Sequence, residues 1–279
     1  MTRDNVDAAA GGFFLDDRPA PLRTLLAGTW RSRSLISILA RKDFYVRYRR
    51  ATFGLLWAAA LPLLQAVALA FVVSRFATFA TGSDYWIFVL AGTVAWSTFS
   101  GIVGSGSTAI VDGASLSTKI YFPRLVLPLV TVWTSAYGLA VSLVLLAAAT
   151  VVGGDGFGAE IFLIVPAAAL TLVVGASFAL VLSALHVYFR DVRYLVQAAL
   201  LVWFYLTPVI YPLRAIGRSR PWIEANPMTG VVELYRAATV GADAGLTAPL
   251  MWTGGWIVGL LAVAVLLHRR FDRVFVDLL

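Results

Sequence analysis

LVLPLVTVWTSAYGLAVSLVLLAAATVV, residues 125–152, contains neither a charged side chain nor a histidine. About 20 apolar residues in a helix suffice to cross the hydrocarbon core of a bilayer, so this one stretch is long enough to span a membrane. Five similar stretches surround it, at 54–74, 85–105, 161–185, 194–211 and 249–267, and none has a charge at its centre. The chain as a whole has 279 residues, is 60% hydrophobic and has a mean hydropathy of +0.83, well outside the range of soluble domains. In lipid a backbone satisfies its polar groups only as a helix or a closed barrel. The expectation is an all-α membrane protein with six transmembrane helices.

The net charge of +7 is distributed in a way that fits a membrane topology and not a nucleic-acid surface. Arg3, Arg18, Arg23, Arg31, Arg33, Arg41, Lys42, Arg47, Arg49 and Arg50 precede the first apolar stretch, and Arg269, Arg270 and Arg273 follow the last. The connections at 106–124 and 186–193 add Lys119, Arg124, Arg190 and Arg193, whereas the other side holds only Arg75, Arg214, Arg218, Arg220 and Arg236. Basic residues accumulate on the cytoplasmic side. Both termini are therefore expected in the cytoplasm, which requires an even number of spans and agrees with six. The same excess suits anionic lipid headgroups. Cysteine is absent, which excludes disulfides and thiol chemistry. The N-terminus lacks a basic region followed by an apolar run, so no cleaved signal peptide is expected.

Four regions follow: a cytoplasmic leader (1–30), an amphipathic interface helix (31–53), the membrane domain (54–267) and a cytoplasmic tail (268–279). In the second region Phe44, Tyr45 and Tyr48 are expected on one side and Lys42, Asp43, Arg47 and Arg50 on the other, with Asp43 and Arg47 spaced as an i,i+4 pair. Residues 35–39 do not continue that stripe. Between the fifth and sixth stretches, Asn226 has the chemistry of a helix N-cap and Pro227 fits the first helical position. Val231, Leu234, Tyr235 and Ala238 then align on one face. A helix this short cannot span, so it is expected to dip into the outer leaflet or to lie across it, packed against protein. Gly255 and Gly259 form a GxxxG pair suited to close helix contact.

Ordered motifs run along the chain: Arg41-Lys42-Asp43-Phe44-Tyr45-Val46-Arg47-Tyr48-Arg49-Arg50 with Gly54-Leu55-Leu56-Trp57 and Pro62; Lys119-Ile120-Tyr121-Phe122-Pro123-Arg124 with Leu127-Pro128; Tyr188-Phe189-Arg190-Asp191-Val192; Tyr205-Leu206-Thr207-Pro208-Val209-Ile210-Tyr211; and Asn226-Pro227-Met228 with Tyr235-Arg236. In this order they resemble the permease subunit of bacterial polysaccharide-exporting ABC transporters, the family that handles O-antigen, teichoic acid, capsule or galactan. The resemblance covers nearly everything from about residue 35 onward. It implies six transmembrane helices with an amphipathic helix before the first and short re-entrant helices before the sixth. It also implies a homodimer working with two copies of a separate ATPase subunit, which binds the ATP and magnesium, in a bacterial plasma membrane. The cargo would be a polyprenyl-diphosphate-linked glycan. Arginine greatly outnumbers lysine, a high-GC character that makes the mycobacterial and actinobacterial galactan exporter the nearest specific candidate.

The chain has no GxxxxGK[ST] phosphate loop, so energy is expected from a partner. The handles for it would be the two short, charged, aromatic cytoplasmic connections: Asp112, Lys119, Tyr121, Phe122 and Arg124 in one, Phe189, Arg190 and Asp191 in the other. Aromatic faces pack on the C–H faces of sugars, which makes Trp57, Trp96, Phe99, Trp133, Tyr137, Trp203 and Tyr205 candidates for the channel. Asn226, Pro227, Tyr235 and Arg236 would form an outer gate. No cofactor or metal site is expected in the chain itself. An ABC permease for a drug or lipid is the nearest alternative. A membrane glycosyltransferase would need clustered carboxylates, and those of the outer connections (Asp84, Asp155, Glu160, Glu224, Glu233, Asp243) are scattered. An ion-coupled carrier would need ionisable groups within its spans.

Overall fold

The computed structural model describes residues 22–49, 51–76, 85–117, 122–153, 158–241 and 245–271. Among these residues there is no β-strand, and the chain is an all-α membrane protein. In chain order the helices are α1 (Leu22–Arg31), α2 (Arg33–Tyr48), α3 (Leu56–Val73), α4 (Tyr85–Asp112), α5 (Ala114–Ser117), α6 (Val126–Gly153), α7 (Ile164–Tyr188), α8 (Val192–Leu206), α9 (Arg220–Glu224), α10 (Pro227–Val240) and α11 (Thr247–Phe271). Short 3-10 turns, Ala159–Leu163 and Leu213–Ser219, precede α7 and α9.

Five helical stretches are long and apolar enough to cross a bilayer: α3, α4, α6, α7 with its preceding turn, and α11. The stretch expected at 194–211 is different. It is divided into α8, of 15 residues, and an extended tail. At 1.5 Å per residue α8 is about 22 Å long, against roughly 30 Å of hydrocarbon. Pro208 supplies the cause, because a proline ring disfavours helical geometry in the residue before it. Thr207 accordingly is extended, at φ −91° and ψ 136°. The apolar run continues to Tyr211, but the helix stops.

The central helix is α4, buried along most of its length and packed on α3, α6, α7, α8 and α10. Small residues let α7 approach it closely. A Cβ added to Gly106 would lie 2.5 Å from that of Ala179, and one added to Gly175 would lie 2.9 Å from Ile102 Cδ1. Such proximity gives dispersion contact where lipid leaves little hydrophobic drive between helices. The expected GxxxG pair behaves otherwise. A Cβ on Gly255 or Gly259 would meet nothing within 4 Å, so that face of α11 is open among the described residues.

The interface helix is α2, separated from α1 at Ser32, whose hydroxyl donates to the Gly28 carbonyl at 2.9 Å. Ile36 and Ala40 are buried against Phe122, Val126, Leu127 and Val130 of the α6 end, with Leu35 and Leu39 beside them. The Phe44 ring lies 5.4 Å from that of Tyr137. The protein-facing stripe therefore does run through 35–39, at i,i+4 spacing with Phe44. The reason is that α2 turns its small and aliphatic residues to α6. Tyr45 turns away and is exposed, so it does not share a side with Phe44 and Tyr48. Asp43 and Arg47 are both exposed and not paired in the structure, as befits a solvated i,i+4 pair of small worth.

α10 begins as expected: the Asn226 side chain accepts from the Met228 amide at 3.0 Å, Pro227 occupies the first turn, and Gly241 closes the helix in the left-handed region at φ 59°. One-sided burial was the expectation. Instead every residue from Pro227 to Thr239 is buried, because α4, α7 and α11 enclose the helix on separate sides. Against α11 the fit is tight, with an added Cβ on Gly230 falling 2.5 Å from Thr253 Oγ1.

Candidate functional site

At the end of α4 that carries Tyr85 and Phe88, the motifs of α8, its tail and α10 meet. Thr207–Pro212 is not helical; the Thr207 carbonyl accepts from the Val209 amide and that of Pro212 from the Ala215 amide, so the carbonyls between them need partners from elsewhere. Arg236 provides two of them. Its Nη2 donates to the Val209 carbonyl at 2.9 Å, and its Nη1 reaches the Tyr211 carbonyl at 3.5 Å. The intervening Ile210 carbonyl accepts from the Tyr85 hydroxyl of α4. The guanidinium is itself held on two further sides: Nη1 donates to Glu233 Oε1 at 2.6 Å, and its face lies 3.5 Å from the Phe88 ring centroid. Arg236 is fully buried and Glu233 nearly so. The Nε of Arg236 is buried with no acceptor. The tail can nest this closely because α4 has a glycine beneath it; a Cβ on Gly92 would sit 3.0 Å from the Val209 oxygen.

Asn226 is the second fastening. Its Oδ1 accepts from the Trp203 indole at 3.0 Å as well as from Met228 N, and its Nδ2 donates to the Leu206 carbonyl at 3.3 Å and to Thr207 Oγ1 at 3.0 Å. One amide thus ties the last turn of α8 to the first turn of α10. Tyr235 is buried beside Thr171 of α7. Tyr211 donates to the Tyr205 carbonyl at 3.1 Å. Of the expected outer residues, Asn226 and Arg236 both hold the stretch 206–211 and Pro227 opens the same helix, whereas Tyr235 turns to α7. Glu233, Tyr85, Phe88 and Gly92 complete the constellation, and of these only Glu233 had a readable signal, its i,i+3 spacing to Arg236.

At the opposite end of α4 lie the expected cytoplasmic handles. Phe189, Arg190 and Asp191 are all exposed in the break between α7 and α8, and the Asp191 side chain makes no capping bond to α8. Asp112 is exposed and accepts from Thr108 Oγ1 at 2.6 Å. Phe122 is 6% exposed, under α2. Arg124 is half-buried, with its Nη1 sequestered and without an acceptor. Lys119, Tyr121 and Arg50 lie outside the described residues.

The aromatic candidates separate into two groups. Trp96, Phe99 and Trp203 are part of an interior cluster with Phe178 and Phe204, where neighbouring rings are 5.2–6.2 Å apart in mostly edge-on arrangements. Trp133 and Tyr205 are exposed, and Trp57 and Tyr137 are half-buried against Phe53 and Phe44. Ser142 bridges helices by donating to the Ala58 carbonyl at 3.1 Å. Among the described residues no group of His, Asp and Glu has the arrangement to hold a metal ion.

Residues 34–240 match the family model described as ABC-2 type transporter. An O-antigen export system permease protein of Myxococcus xanthus is 31% identical over 90% of this chain and 95% of its own length. A Klebsiella pneumoniae protein described in the same words is 24% identical over 86% of the chain and 94% of its own length.

Proposed function

Because the chain belongs to the ABC-2 type transporter family of membrane proteins, we propose that it is the permease subunit of an ATP-driven exporter that moves a lipid-linked polysaccharide out of the cytoplasm. The observation that carries this reading is the end-to-end likeness, over 95% of its length, to a permease described as exporting O-antigen. The finer assignment is a polyprenyl-diphosphate-linked galactan, carried by a homodimer with two ATPase subunits in a bacterial plasma membrane, both termini facing the cytoplasm. Arginine-rich composition supports the galactan source.

The ATPase engages the exposed Phe189-Arg190-Asp191 corner and Asp112. Phe122, packed beneath α2, anchors its connection and leaves Lys119, Tyr121 and Arg124 to make the contact. Closure of the nucleotide sites then reaches the membrane as rigid-body motion. Trp57, Trp133 and Tyr205, which reach the surface of the single chain, suit a sugar path between two copies; Trp96 and Phe99 support it from behind. Depleting the protein in its host and measuring lipid-linked glycans in membrane extracts tests the reading. A long polyprenyl-linked polymer accumulates if it is right. If such polymers stay level while a small hydrophobic compound accumulates, a drug or lipid exporter replaces it. Charge reversal, Asp191→Lys, is expected to reduce export per ATP hydrolysed without altering folded yield, since the side chain is exposed and makes no cap.

A further inference from the structure

Charged groups in the interior of a membrane protein are costly and are kept where they have a task. Arg236 has one that its burial with Glu233 alone does not explain, for it holds the backbone of a different element. The carbonyls of Val209, Ile210 and Tyr211 are taken in sequence by Arg236, Tyr85 and Arg236, while Asn226 holds Leu206 and Thr207 just before them. The outer end of α8 is thereby fixed to α4 and α10 by side chains at every one of these residues except Pro208. Within one copy the rest of α8 is held along one face, by Val192, Val196, Leu200, Trp203 and Phe204. Tyr194, Leu195, Leu201 and Val202 are more than half exposed, and the inner end abuts the exposed Phe189–Asp191 corner.

We infer that Arg236 is a positioning residue that clamps the outer end of α8, making the helix a lever pivoted at that end and driven at the other. This rests on the export reading above. Lysine in place of Arg236 keeps the charge beside Glu233 but cannot span from Glu233 to two separate carbonyls, because it lacks the planar fork. The first measurement needs no transport: hydrogen exchange of the purified chain in lipid nanodiscs. Arg236→Lys is expected to accelerate exchange over 207–211 by roughly tenfold or more, the factor a charged hydrogen bond contributes, with α4 and α10 remaining protected. The second is the ratio of glycan exported to ATP hydrolysed by the complex in its native membrane, which is expected to fall several-fold.

Two further variants guard against simple misfolding. Tyr85→Phe removes the hydroxyl that donates to the Ile210 carbonyl while keeping the ring and the charge of Arg236, and should loosen the same segment to a smaller degree. The pair Glu233→Leu with Arg236→Met replaces both buried charges with apolar side chains, a change that protein interiors often accept; it should insert at the wild-type level and still lose coupling. Unchanged protection of 207–211 and an unchanged glycan-to-ATP ratio in Arg236→Lys, or full coupling in the double variant, would overturn the clamp. If the unaltered complex exports no glycan, the export reading fails instead, and the exchange result still decides whether the clamp exists.

Discussion

Asn226 makes four hydrogen bonds through one small side chain, and its loss should be felt far beyond a helix cap. Asn226→Ala strands the Trp203 indole, the Met228 amide and the Leu206 carbonyl in a poorly hydrated place. The expected cost is about 1–3 kcal/mol, measured as a drop of several degrees in the thermal midpoint of the detergent-solubilised protein. Asn226→Asp keeps the two acceptor roles, loses the two donor roles and gains a charge that suits a helix N-terminus, so its midpoint should fall less. Equal midpoints for wild type and Asn226→Ala would mean that the node carries no stability. The cap itself was legible from the Asn226-Pro227 pair because capping is local, decided within three residues. Its bonds to Trp203 and Thr207 were not, since they join positions about 20 apart whose proximity depends on where α8 ends. Arg236 and Glu233 illustrate the same limit: their spacing pointed to a pair, whereas their burial depends on three other helices closing round α10.

Helix existence was legible wherever apolar length decided it, and helix contact was not. Hydropathy located α3, α6, α7 and α11 to within a few residues of their ends and missed the last seven residues of α4, which runs to Asp112 through a stretch expected as a connection; because it treats all apolar residues alike, it also carried the fifth stretch through Pro208 to Tyr211. Spacing of small residues pointed to Gly255 and Gly259 as a contact, yet the close approach occurs at Gly106 and Gly175 instead. Small residues permit proximity without dictating which helix arrives. The two sites should therefore respond oppositely to the same change. Gly106→Val drives a methyl group into Ala179 and is expected to cost about 1–3 kcal/mol or more by overpacking, seen as reduced folded yield on size-exclusion chromatography. Gly255→Val meets open space in the chain and should alter stability by no more than about 0.5 kcal/mol. A Gly255→Val chain as unstable as Gly106→Val would contradict an open face on α11 at Gly255.

For the molecule as a whole, the long axis is set by α4, whose 28 residues extend about 42 Å, with the clasp around Tyr85 and Phe88 at one end and the α2 side, next to Ala109, at the other. Charge divides between these ends. The exposed face of α2 presents Arg33, Arg41, Lys42, Arg47 and Arg49, against Arg214, Arg218 and Arg220 near the clasp, where Arg220 is already paired with Glu224 at 2.6 Å. If basic residues remain inside, α2 faces the cytoplasm and α9 the exterior. The natural absence of cysteine makes this open to a direct measurement. Ser37→Cys on α2 and Ser219→Cys before α9 both place the thiol on an exposed position. A membrane-impermeant maleimide added to intact cells should label Ser219→Cys at once and Ser37→Cys only after permeabilisation. The reverse pattern would turn the molecule over, and with it the assignment of Phe189–Asp191 as the ATPase contact, because a corner on the exterior meets no nucleotide.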